Sequence, residues 1–286
     1  MNAEDKMTVT IEKTELVWTI ILDRPEVRNA VDQVTRVSLQ SAFDEFEGDV
    51  KARVAVLWGK GGHFCSGADL KAMSDPSKRK IIDPEGKGPG PMGPTRNQLT
   101  KPTIAAIAGY AVAGGLELAL WCDLVICSET AVLGQTGARV GACPTVGATQ
   151  YLPRIVGERI AREMIFLCRT FTGKEAVDVG LANKCVSQDK LLDETMKWVK
   201  QINTYSGQTI RQTKKSLNSE SDELYASWQH GMELLAHVWG SDECMEGMNA
   251  FIEKRKPNFF KFREKNAQIV KDYLTGLDND DNVKPS

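Results

Sequence analysis

The stretch from Gly109 to Asp123, GYAVAGGLELALWCD, constrains the fold more than any other part of the chain. Residues 103–109, TIAAIAG, are continuously apolar and read as a buried strand. They lead through the glycine pair Gly114–Gly115 into an apolar helical run. A strand, a glycine turn and a helix in that order leave free backbone N–H groups at the helix start, where partial positive charge collects. Glu117 is the one carboxylate in GLELALW, and its spacing from Gly114 puts it on the same helix face, one turn on. A lone charge in such a run is costly unless paired or used, and burial raises its pKa. The local pattern fits equally a base beside a hydrogen-bond donor and a structural carboxylate paired with a cation.

A second segment repeats the arrangement. Residues 53–70, RVAVLWGKGGHFCSGADL, read as an apolar strand, a glycine turn, and the approach to another helix. Two such units can bring two backbone N–H donors to one point, and convergent donors make an oxyanion hole. HFCSGADL and GYAVAGGLELALWCDL resemble the two signature segments of the crotonase (enoyl-CoA hydratase/isomerase) superfamily. The resemblance runs over about residues 8–260. It implies an α/β fold: a ββα spiral core that binds acyl-CoA, over residues 1–205, and a C-terminal helical region for oligomerisation, over residues 206–286. It places the oxyanion donors at the Ala68 and Gly114 amides and Glu117 at the first of two hydratase glutamates.

The rest of the chain is consistent with that class. Residues 8–22 read as a pair of strands, 34–47 as an amphipathic helix, and strands at 53–58, 103–108 and 123–127 alternate with helical stretches. That alternation argues for right-handed parallel βα units. Residues 74–101 are the one long irregular segment, with five prolines and four glycines between 76 and 94. In the family this region covers the acyl pocket; a plain surface insertion fits the residues almost as well. Residues 224–239 carry an apolar stripe, Ser241 starts a further helix, Pro257 closes it, and the tail turns polar and acidic.

The chain has 286 residues and a formal net charge of −2, so no general attraction to nucleic acid or to anionic membrane is expected. No apolar run approaches the roughly 20 residues that span a bilayer. The seven cysteines are scattered without a CxxC pair, and the three histidines have no zinc spacing, so no metal is expected. Reduced thiols and an N-terminus without an apolar signal core point to the cytoplasm, with mitochondrion and peroxisome left open.

Acyl-CoA needs cations at its phosphate end and donors at its thioester. RPEVRN resembles the family segment near the adenine and phosphates, which makes Arg28 the candidate there, with Lys71 second. Phe64, Gly67 and Asp69, in the HFCSGADL segment, are further candidates for substrate or CoA contact. Lys254 and Lys256, with Phe251 and Phe259, are placed to reach a neighbouring subunit's nucleotide. The resemblance implies a homotrimer or a dimer of trimers, with acyl-CoA as substrate and no separate cofactor.

The family's second catalytic glutamate precedes a loop matched here by Pro144, Gly147, Ala148, Thr149 and Gln150. Counting back, its position is Gly137, after Gln135 and Thr136, and glycine has no side chain to move a proton. GQTGARVG, AREMIFLCRTFTGKEAVDVGLAN and EGMNAFIEKRKPNF resemble instead the 1,4-dihydroxy-2-naphthoyl-CoA synthase branch. Bicarbonate-using members of that branch hold an anion at the Gln-Thr-Gly position. Unlike them, this chain carries Glu117, and it reads Ala142 and Pro144 where they have a serine and an aspartate. A gap filled by water or bicarbonate is therefore expected beside Gln135, Thr136 and Gly137, with Thr136 and Thr145 as other candidate proton relays; Cys143 is near them too, but an apolar site would keep it an inert thiol. Three activities follow: hydratase/lyase chemistry on an enoyl-CoA with a single glutamate; carbon–carbon bond chemistry on a cyclic or β-keto acyl-CoA, as ring hydrolase or ring synthase; or CoA-ester binding with little catalysis.

Overall fold

The structure is a computed structural model that describes residues 7–75, 77–78, 89–223, 238 and 241–262. The apolar stripe at 224–239 lies almost wholly outside the described residues, as do most of the 76–88 segment and the acidic tail.

The strands are β1 (Val9–Lys13), β2 (Val17–Leu22), β3 (Val54–Gly59), β4 (Thr103–Ile107), β5 (Tyr110–Val112), β6 (Leu124–Ser128), β7 (Val132–Gly134), β8 (Thr170–Thr172) and β9 (Lys184–Val186). The helices are α1 (Gln33–Gly48), α2 (Leu70–Ser74), α3 (Gly114–Trp121), α4 (Ala148–Val156), α5 (Glu158–Phe166), α6 (Gly173–Asp178), α7 (Leu191–Thr204), α8 (Gly207–Glu223) and α9 (Asp242–Ile252). One sheet runs β1-β2-β3-β4-β6-β9, antiparallel only between β1 and β2. A smaller sheet runs β5-β7-β8. This is the α/β spiral expected from the signature segments.

The large sheet is covered on both faces, which is why its inner strands are continuously apolar rather than alternating. Successive side chains of β3 divide between two cores. Ala55 and Leu57 join Leu39, Phe43 and Phe46 of α1 on one face. Val54 and Val56 join Leu191 and Val199 of α7 on the other. α1 starts where Asp32 accepts the Thr35 amide at 2.8 Å, an N-cap of the kind Asp favours. Phe43 is fully buried and meets Trp121 of α3 edge-on, with ring centroids 4.9 Å apart. Truncating such a side chain to alanine costs about 3–5 kcal/mol.

The 74–101 segment is anchored rather than loose where it is described. Buried Arg36 of α1 donates through Nε to the Gly90 carbonyl at 2.8 Å, and its Nη2 reaches the Pro89 carbonyl. The Trp121 indole donates to the Asn97 carbonyl at 3.0 Å. Ser241 caps α9 by accepting the Cys244 amide at 3.2 Å. That helix ends at Ile252, five residues before Pro257, so the proline does not itself close it.

Candidate active site

The turns after β3 and β4 are laced together by the backbone. The Cys65 amide donates to the Tyr110 carbonyl at 2.8 Å, and the Val112 amide donates back to the Cys65 carbonyl at 3.1 Å. Helix α3 lies so close to the Cys65 segment that a Cβ on Gly115 would be 2.1 Å from the Cys65 carbonyl oxygen, so only glycine fits. Gly67, at φ +93°, turns the first segment toward the second. A Cβ there would stand 3.2 Å from the Gly114 nitrogen. Thus Ala68, the next residue, and Gly114 share one cavity wall.

The amides flanking Ala68 and Gly114 are engaged, and their own are not. Val31 brackets Ala68: its amide donates to the Gly67 carbonyl and its carbonyl accepts the Asp69 amide. The Ala113 amide donates to the Gly134 carbonyl at 2.9 Å. Neither the Ala68 nor the Gly114 amide has a partner among the described residues. Ala113 holds φ +51°, ψ −123°, a conformation that costs an L-residue on the order of 1–3 kcal/mol. That strain sits in the residue that aims the Gly114 amide.

Glu117 lies in the first turn of α3, 3% exposed. Its Oε1 accepts two backbone amides, Val146 at 2.9 Å and Ala148 at 3.1 Å. Burial pushes its pKa up to about 7, against the opposing pull of those two amides. No cation pairs with it among the described residues, so the structural ion pair that its sequence also permits is not made. Oε2 has no protein partner among the described residues.

Glu117, Ala68 and Gly114 line one cavity of about 340 Å³. Its other walls include Met73, Met92, Val140 and Val146. Arg28, Gln135, Thr136 and Gly137 also line it. Arg28 is exposed, in a left-handed conformation, its guanidinium 5.1 Å from the centre of the Tyr110 ring. Gln135 is buried, and its Nε2 has no hydrogen-bond partner among the described residues.

Four expected contact residues do not line the cavity. Phe64 is fully buried in the main core, which needs its ring as filling. Gly67 is buried behind the Gly114 amide. Asp69 caps α2 by accepting the Ala72 amide at 3.2 Å and pairs with Arg24 at 3.0 Å. Lys71 points outward and is exposed. Lys254 and Lys256 are exposed and also stand outside the cavity, whereas Phe251, 63% exposed, lines it.

Gly137 corrects one expectation. The missing side chain leaves no vacancy along its own Cβ direction, because a Cβ there would meet the Ala142 carbonyl oxygen at 2.6 Å. The Ala142 amide in turn donates to the Gly137 carbonyl at 3.0 Å. Cys143 lines the cavity, but burial pushes its thiol up to about 11, which keeps it protonated and a poor relay. Among the described residues no cluster of His, Cys, Asp or Glu could hold a metal, and no helix is long and apolar enough to cross a membrane.

Sequence reading missed three contributions. The Val146 and Ala148 amides that fix Glu117 come from the backbone and leave no mark in residue type. Arg24, not Arg28, makes the ion pairs, to Asp32 and Asp69. Arg139, inside GQTGARVG, lines the cavity.

The enoyl-CoA hydratase/isomerase family model matches residues 12–262. An enoyl-CoA hydratase from Mycobacterium tuberculosis H37Rv is similar at 32% identity over 80% of this chain and 95% of that one, with a TM-score of 0.72. An enoyl-CoA hydratase from Mycobacterium avium matches at 31% identity over 81% and 96%, with a TM-score of 0.72. A carnitinyl-CoA hydratase from Mycobacterium avium matches at 28% identity over 88% and 97%, with a TM-score of 0.81.

Proposed function

Because this chain belongs to the enoyl-CoA hydratase/isomerase family, we propose that it is an acyl-CoA enzyme of hydratase/lyase type, with Glu117 as its single acid/base. The observation that carries this is the pairing, in one cavity, of two unengaged amides with a buried carboxylate whose pKa is about 7. The thioester oxygen sits between the Ala68 and Gly114 amides. Charge that develops there as an enolate forms is met by donors already in place, which lowers the barrier without reorganisation. Oε1 of Glu117 is held by Val146 and Ala148, so Oε2 does the proton work. It removes an α-proton or orients water against the double bond, and a pKa near the working pH suits either task. Arg28 holds the phosphate end, stacked on Tyr110.

The second proton travels by a small polar group rather than a second carboxylate. Water or bicarbonate beside Gln135, Thr136 and Gly137 fills that role, supported by the unpartnered Gln135 amide and by the Thr136 and Thr145 hydroxyls on the wall. A proton route of this kind also serves carbon–carbon bond chemistry on a cyclic or β-keto thioester, the second reading. The active form is a homotrimer or dimer of trimers, with the exposed Phe251, Ile252 and Phe260 covered by a neighbouring copy. Assays of the wild type and of Glu117→Gln on linear enoyl-CoA and cyclic acyl-CoA panels, with and without bicarbonate, test these readings. Turnover of linear enoyl-CoA that the variant loses supports hydratase chemistry. Turnover of cyclic esters alone, raised by bicarbonate, supports the second reading. Tight ester binding without turnover on any substrate leaves a CoA-ester-binding protein.

A further inference from the structure

The cavity has direction. β5 and β7 run parallel, with Tyr110 opposite Val132 and Val112 opposite Gly134. Arg28 stacks on Tyr110 at one end of this pair. The Ala113 amide bonds the Gly134 carbonyl at the other, which sets Gly114 there. The chain then continues past the Gly134 end through Gln135, Thr136 and Gly137 to Arg139, whose Nη2 reaches the Cys168 carbonyl, two residues before the Thr170 that pairs with Gly134. With the CoA phosphates at Arg28, as proposed above, this places Arg139 on the acyl side of the oxyanion amides.

Arg139 is exposed, lines the cavity, and uses one donor, from Nη2 to the Cys168 carbonyl at 2.7 Å. No carboxylate pairs with it among the described residues. Gln135 adds a buried, unpartnered Nε2 on the same segment. An acyl group that ends in a carboxylate gives these donors an acceptor, which a purely hydrocarbon chain does not. Planar guanidinium donors match a carboxylate in geometry and charge.

We propose that Arg139 is a specificity residue and that the acyl group of the substrate ends in a carboxylate: a dicarboxylic acyl-CoA, with its free acid at Arg139 and Gln135 alongside. This rests on the acyl-CoA reading above and narrows its substrate class. It leaves Glu117 and the two amides in the roles already given.

The test measures binding of two unreactive esters of equal length, hexanoyl-CoA and adipoyl-CoA, to the full chain by calorimetry. Wild type is expected to bind adipoyl-CoA about tenfold more tightly than hexanoyl-CoA. Arg139→Gln should bring that ratio to about one, and Arg139→Lys should keep part of it. Because the readout is a ratio, loss of the Cys168 contact alone, which weakens both esters together, leaves the ratio unchanged and overturns the proposal. Equal binding of the two esters by wild type overturns it as well, while leaving the acyl-CoA reading standing. Failure of both esters to bind overturns the acyl-CoA reading itself, and this inference with it.

Discussion

The Glu117 carboxylate is held by the Val146 amide, at 2.9 Å, across a gap of 29 residues in the chain. The Ala148 amide joins it on the same oxygen at 3.1 Å. Two neutral donors orient the carboxylate without neutralising it, as a cation would. Burial then outweighs them, and the pKa rises to about 7. A base that is fixed in place, half protonated near neutrality and open on its other oxygen follows from that one relationship.

Replacing Glu117 by Gln keeps both amide contacts, since the amide oxygen still accepts, and removes the proton-transfer group. Turnover is expected to fall by on the order of 10²–10⁴. Binding of an unreactive CoA ester should stay within a few-fold of wild type. Steady-state kinetics and calorimetry on the same preparation check the two halves separately. Unchanged turnover would assign Glu117 to structure.

The raised pKa also sets a pH dependence of stability. Unfolded Glu117 loses its proton near the ordinary glutamate value of 4.5, while folded Glu117 keeps it up to about 7. Its contribution is therefore fully present below pH 4.5, is lost as pH rises through 7, and amounts to about 3 kcal/mol. Glu117→Gln carries no such charge. It should match wild type near pH 4.5 and exceed it in denaturant midpoint at pH 8. With Glu117 as base, wild-type kcat/KM should rise with pH through a midpoint near 7, an inflection the variant lacks. A kcat/KM that falls through the same midpoint would make the protonated form the active one.

Much of this site was legible from residue types. Glu117 stood out because a carboxylate inside GLELALW has to be used or paired. The strands stood out because TIAAI and VAVLWG are apolar on both faces, as a doubly covered sheet requires. Other features left no signal. β5, β7 and β8 are three residues each, too short for any periodicity. Val146 and Ala148 contribute only backbone. Phe64 and Asp69 sit in a signature segment, yet they serve the core and a helix cap, because the motif preserves the turn as much as the chemistry. Gly137 read as an empty acid position, but where the Ala142 carbonyl lies cannot be told from the letters GLY and ALA.

The exposed apolar residues predict assembly. Phe260 is 81% exposed, Phe251 63% and Ile252 42%, all near the C-terminal helix α9. Exposed apolar side chains grouped in this way mark contact surfaces. Light scattering at micromolar concentration should give the mass of three or six chains. Phe260→Glu should shift that mass toward one chain while circular dichroism stays native. A wild-type monomer under these conditions would remove the trimer from the proposal.

Gly137 gives the sharpest steric test. A Cβ at this position would lie 2.6 Å from the Ala142 carbonyl oxygen, and backbone cannot swing aside as a flexible side chain can. Gly137→Ala must therefore push residue 142 away and strain the bond from the Ala142 amide to the Gly137 carbonyl. Overpacking of this kind costs about 1–3 kcal/mol. Ala142 leads directly into the loop whose Val146 and Ala148 amides hold Glu117, so the disturbance reaches the base. Gly137→Ala should lower both the unfolding midpoint and turnover, and weaker amide contacts should move the pH midpoint of kcat/KM upward, because those contacts are what lower the Glu117 pKa. Gly137→Glu meets the same carbonyl first, so it should reduce activity rather than install a working second acid. Normal stability together with faster hydration of a linear enoyl-CoA in Gly137→Glu would show that the position had room for the missing carboxylate after all.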